Sequence, residues 1–123
     1  MQSIEKLGHD LAAAYTTLKA ATQNLQEAAE ETIACKRGLT IAEQRIINEH
    51  ADDPKRLGGN KEAREAAIAE MTADHRLEVE RAEDDERKAK NALDLAKLDL
   101  EAARVQLRVL ELVAGDRREV TAC

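Results

Sequence analysis

The chain contains no tryptophan and no phenylalanine, and Tyr15 is its only aromatic residue. That excludes a thick aromatic core, and it excludes a stacking platform for exposed nucleic-acid bases. Pro54 is the single proline, so long stretches on either side are free to run as unbroken helix. Two cysteines, Cys35 and Cys123, do not make a disulfide framework. Ser3 is the only serine, which removes the serine nucleophile with its partners from consideration. No apolar run approaches the roughly 18 residues of a membrane-spanning helix. The opening Met-Gln-Ser-Ile-Glu lacks the basic-then-apolar order of a secretory signal, and a cytoplasmic protein is expected.

What is present is mostly Ala, Leu, Glu, Lys and Arg, the composition of coiled coils and long helices. At 123 residues the chain is one domain by length. Its 19 basic and 25 acidic residues leave a net charge of −6, with no general attraction for nucleic acid or anionic lipid. Neither a membrane nor direct nucleic-acid binding is expected.

The ordering of these residues is more informative than their amounts. Ile4, Leu11, Leu18, Leu25, Thr32, Leu39 and Ile46 stand seven apart. Leu7, Ala14, Ala21, Ala28, Cys35 and Ala42 form a companion series three residues further on. In the second half Val79, Glu86, Leu93, Leu100 and Leu107 repeat the first series, and Ala82, Ala89, Ala96, Ala103 and Leu110 the second. A sustained seven-residue repeat specifies helices wound about each other in a left-handed supercoil. Alanines along one edge let the two backbones approach closely. Thr32, Cys35, Thr72, His75 and Glu86 fall at nominal seam positions, where polar residues weaken the seam and can set its register.

The spacing predicts an all-α, long antiparallel two-helix hairpin over residues 1–115, with a first helix over 3–50, a turn over 51–59 and a second helix over 60–114. Ser3 and Asn60 are expected N-caps, and Glu62 lies favourably against the positive end of the second helix. Gly8 and Gly38 weaken the first helix without shifting its phase. Asp52-Asp53-Pro54 ends it, and Gly58-Gly59 supplies backbone freedom for the turn. Gly115 is the expected stop, with 116–123, including Cys123, a flexible tail. Two helices of about fifty residues span roughly 75 Å. So short a connection cannot return along that length, which makes the helices antiparallel.

The second helix carries another apolar stripe, Leu95, Leu98, Ala102, Val105, Val109 and Leu112, at spacings of three and four on the face opposite the seam. A helix apolar on two sides requires cover on two sides. The first helix reaches only one of them. The expected outcome is a homodimer with a four-helix bundle at its centre, and these six residues form the candidate interface.

Motifs for chemistry are few. Cys35 and His75 could approach across the seam, but two ligands fall short of the three or four that zinc requires, so no metal site is expected. No phosphate-binding loop follows a strand, because no strand is predicted. The run Glu83, Asp84, Asp85, Glu86 sits on a solvated helix without a pocket to perturb a carboxylate. Over Arg76–Lys90, six acids are answered by five bases, the pattern of a salt-bridged helix face more than of a DNA mimic. No catalytic residue and no cofactor are expected.

Gly58, Asn60 and Arg64 make a G-x-N-x-x-x-R pattern at the opening of the second helix. With the Ala-, Glu- and Lys-rich helix that follows, the chain resembles small helical-hairpin proteins of bacteriophages and prophages over Gly58–Ala114. The resemblance implies a viral accessory setting and a fold, not a reaction. The expected function is a non-enzymatic protein-protein interaction module acting on a host or phage protein in DNA metabolism or counter-defence. The alternatives are a structural or assembly coiled coil, and an acidic DNA-mimic inhibitor of a nuclease.

Overall fold

A computed structural model describes the backbone of residues 3–122 and the side chains of 3–115. The expectation for Cys123 lies outside the described residues. The elements are α1 (Ile4–Glu49), a short 3-10 turn (Pro54–Arg56), α2 (Lys61–Met71) and α3 (Ala73–Ala122), with no strand among the described residues. The fold class is all-α.

Helix α1 begins where Ser3 Oγ accepts the Lys6 backbone N–H at 3.1 Å, satisfying one of the free donors of the first turn. It then runs unbroken through Gly8 and Gly38. Asn60 caps α2 in the same manner, its Oδ1 accepting the Ala63 N–H at 2.7 Å. Between them, Asp53 adopts a non-helical backbone and Pro54 starts the 3-10 turn, which closes with Leu57 N–H on Pro54 C=O at 3.1 Å.

Burial follows the heptads. Every position from Leu7 to Ile46 in the two series of α1 is buried or half-buried, and so is every position from Val79 to Leu110 in α3. The chain forms two compact units, one of residues 1–25 and 89–123 and the other of Gln26–Lys88. In the first unit the buried residues are Leu7, Ala21, Ala96 and Leu100. There Arg104 donates to the Tyr15 hydroxyl and lies 5.5 Å from the centre of its ring, joining α1 to α3. In the second unit Thr32, Thr72, Val79 and Ala82 are buried. Lys36 and Glu83 approach to 3.9 Å, and Arg76 and Glu43 to 3.7 Å, again between α1 and α3.

Four expectations are corrected. The second helix is not one segment over 60–114, because it breaks at Thr72, where the backbone leaves helical geometry at φ −107 and ψ 18. The Thr72 hydroxyl donates to the Ile68 carbonyl at 2.7 Å, a local bond that Thr16, Thr22, Thr32 and Thr40 also make within the unbroken α1. His75 is exposed and not in the seam. Arg76, exposed on the flank next to it, has Nε donating to Thr72 Oγ1 at 3.2 Å and its guanidinium paired with Glu43.

Gly115 does not end α3, which continues to Ala122. A glycine stop needs left-handed backbone, and no described glycine has a positive φ. Gly58 likewise serves the turn through its size and not its backbone freedom. A Cβ there would lie 2.6 Å from Ala63 Cβ and 2.8 Å from the Ala63 carbonyl carbon.

Candidate functional site

The candidate site is the outer face of α3. Leu95 is 62% exposed, Leu98 66%, Val105 53%, Val109 54% and Leu112 58%, with Ala102 exposed among them. The neighbouring seam residues Leu93, Ala96, Leu100, Ala103, Leu107 and Leu110 are buried or half-buried. One helix therefore presents two apolar faces, and only one of them is covered.

The outer face keeps its own heptads. Leu95, Ala102 and Val109 stand seven apart, as do Leu98, Val105 and Leu112. Each series is displaced by two residues from the seam, a rotation of roughly 200° about the helix axis. A surface with strict seven-residue spacing stays aligned with a partner only if that partner is a helix in a left-handed supercoil. Leaving these side chains in water forgoes roughly 1.5–3 kcal/mol for each large one. Glu101, Arg104 and Arg108 border the middle of the stripe and share a shallow depression with Val105 and Val109. Arg104 is already engaged by Tyr15, whereas Arg108 makes no ion pair among the described residues.

A second concavity, of about 260 Å³, lies in the other unit beside the turn. Ile47, Pro54, Leu57 and Ile68 give it an apolar lining, and His50 and Arg64 lie at its walls. The His50 ring is held by the Ile46 carbonyl at 2.8 Å. Arg64, one of the three residues of the turn pattern, is thereby placed on this surface.

Among the described residues, the groups suited to chemistry lie apart from one another. No cluster of three or more His, Cys, Asp or Glu able to hold a metal occurs among the described residues. The Cys35 thiol donates to Glu31 Oε1 at 3.4 Å, while His75 faces water. Partial burial raises the pKa of that thiol, and the nearby Glu31 and Glu78 carboxylates raise it further. In the acidic run, Glu83 meets Lys36 and Asp84 pairs with Arg87 at 2.8 Å. No helix among the described residues is long and apolar enough to cross a membrane.

Sequence reasoning named the stripe but missed three cross-helix contacts: Tyr15 with Arg104, Glu43 with Arg76, and Lys36 with Glu83. The signal was available, because each residue directly follows a member of the alanine series, real or nominal. Such flanking positions are where coiled-coil partners exchange charges. No protein-family model matches this chain, and neither a curated protein nor a solved structure matches it.

Proposed function

We propose that the chain is a non-enzymatic protein-protein interaction module, an antiparallel helical hairpin that forms a homodimer through the outer face of α3. The observation that carries this reading is the exposed heptad face from Leu95 to Leu112. Five large apolar side chains in phase are far more than the scattered exposed aliphatics of an ordinary surface. A second copy presents the same face, and the two α3 helices with their α1 partners make a four-helix bundle.

The antiparallel orientation is supported by the cross-helix contacts. In the unit of Gln26–Lys88, moving seven residues back along α1 from Glu43 to Lys36 moves the partner seven residues forward, from Arg76 to Glu83. In the other unit Tyr15 and Arg104 occupy the same flanking position of their heptads. Equivalent flanks face each other across an antiparallel seam. The resemblance carried by Gly58, Asn60 and Arg64 supports a phage accessory role, with a host or phage protein in DNA metabolism or counter-defence as the target.

Sedimentation equilibrium of the wild type and of a Leu98→Glu, Val105→Glu variant tests the reading. The wild type should be a dimer at micromolar concentration. The variant should be a monomer whose circular dichroism retains most of its helicity, because both positions lie outside the seam. A monomeric wild type would overturn the homodimer and leave the face to a different protein.

A further inference from the structure

We infer that the outer face of α3 pairs with the same face of a second copy in antiparallel orientation, in the register that sets Glu101 of each chain against Arg108 of the other. This rests on the homodimer proposed above and specifies its geometry. The apolar stripe is self-complementary about its own midpoint. Running two copies in opposite directions places Leu95 opposite Leu112, Leu98 opposite Val109 and Ala102 opposite Val105, each layer occurring twice. Ala102 is the smallest of the six, and in this arrangement it never meets its own copy, so no layer is left hollow.

The charges beside the stripe select among the possible pairings. Asp94, Glu101 and Arg108 flank one side of the stripe, and Asp99, Gln106 and Val113 flank the other. Across an antiparallel seam each flank meets the same flank of its partner. In the register that uses all six layers, Glu101 meets Arg108, Arg108 meets Glu101, and Asp99 meets Gln106 on the opposite edge. Sliding by one heptad one way sets Glu101 against Glu101, with Asp94 then meeting Arg108, and sliding the other way sets Arg108 against Arg108; either slide exposes apolar layers, which is what decides against both.

A parallel pairing fares worse, because there each flank meets the opposite one. Asp94 would face Asp99 twice, and Arg108 would face the apolar Val113. The sequence therefore favours one arrangement through two attractive pairs and disfavours the other through two repulsive ones. Arg108 is also available, since it makes no ion pair among the described residues. The inner seam follows the same rule of like flanks facing, as Lys36–Glu83 illustrates.

A charge-reversal cycle tests the orientation, with dimer dissociation constants measured by sedimentation at low salt. Glu101→Arg and Arg108→Glu should each weaken the dimer roughly tenfold, because each turns two attractions into two repulsions. Combining them should restore affinity to within about threefold of wild type. The cycle removes what each reversal does to its own helix, since positions 101 and 108 within one chain are about 10 Å apart and screened. Asp94→Lys should change little.

A wild-type dimer that ignores both reversals but tightens with Asp94→Lys would overturn the antiparallel arrangement while leaving the homodimer standing. Single reversals that weaken the dimer without rescue by the combination would also overturn it. A wild type that sediments as a monomer removes the homodimer itself, and the orientation with it.

Discussion

Gly58 and Ala63 sit so close that a methyl group on Gly58 would lie 2.6 Å from the Ala63 Cβ. The next nearest atoms, at 2.8 and 2.9 Å, belong to the backbone of Ala63 and Arg64, inside the first turn of α2. A side-chain tip could swing away, but capped helical backbone cannot. The turn from α1 into α2 therefore requires a residue without a side chain at this point.

Gly58→Ala should lower stability by about 1–3 kcal/mol through this overlap. Gly59→Ala should be neutral or stabilise by about 0.4–1 kcal/mol, since nothing lies within 4 Å of a Cβ there and its φ is not positive. Thermal or denaturant unfolding of the two variants side by side checks the contrast. Equal stabilities would mean that the turn can open around position 58.

Ala21 and Ala96 are almost wholly buried, at 6% and 3% exposure. Leucine at either buried site must displace neighbours packed around the alanine, which costs about 1–3 kcal/mol. Leucine at Ala92, which is exposed on α3, should leave stability within about 0.5 kcal/mol of wild type. Denaturant melts of Ala21→Leu, Ala96→Leu and Ala92→Leu distinguish a tight alanine edge from a loose one.

The Cys35 thiol has its pKa raised by partial burial and by Glu31 and Glu78. An acid that holds its proton more firmly when folded contributes stability fully below the ordinary thiol range. The unfolded thiol ionises first as pH climbs, so that contribution is lost as pH rises through the higher folded value. At mildly alkaline pH, alkylation of Cys35 should be slower than that of a cysteine in an unstructured peptide, because the thiolate is the reacting form. Glu31→Gln should quicken it. Mass spectrometry of the peptide carrying Cys35 follows the reaction, and an unchanged rate in the variant would remove Glu31 from the account.

The seam was legible because seven-residue periodicity is a long-range signal: a single misplaced residue does not destroy a phase carried from Leu7 to Ile46. The caps at Ser3 and Asn60 were legible because short polar side chains before a helical run have a specific backbone partner to find. The break at Thr72 was not. It involves neither proline nor glycine, and the Thr72 hydroxyl bonds the Ile68 carbonyl just as Thr16, Thr22, Thr32 and Thr40 bond theirs within the unbroken α1, so a threonine alone is no sign of a break. A heptad phase carried unbroken through that point places His75 inward, whereas the side chain is exposed.

Gly115 misled in the opposite sense. Glycine in a helix is only about 1 kcal/mol less favourable than alanine, and no proline follows to enforce a stop. The outer stripe was readable residue by residue, since apolar spacing alone defines it.

The pairing of Tyr15 with Arg104 makes the protein selectively visible to optical methods. With no other aromatic side chain in the sequence, tyrosine emission and aromatic near-ultraviolet dichroism arise from one ring, and that ring belongs to the unit of residues 1–25 and 89–123. Those signals report the loosening of that helix pair alone. The unit of Gln26–Lys88, with its turn and its Thr72 break, is dark to them. Far-ultraviolet dichroism sees the whole chain, so the two wavelengths followed through one melt separate the unfolding of the two units without any introduced label.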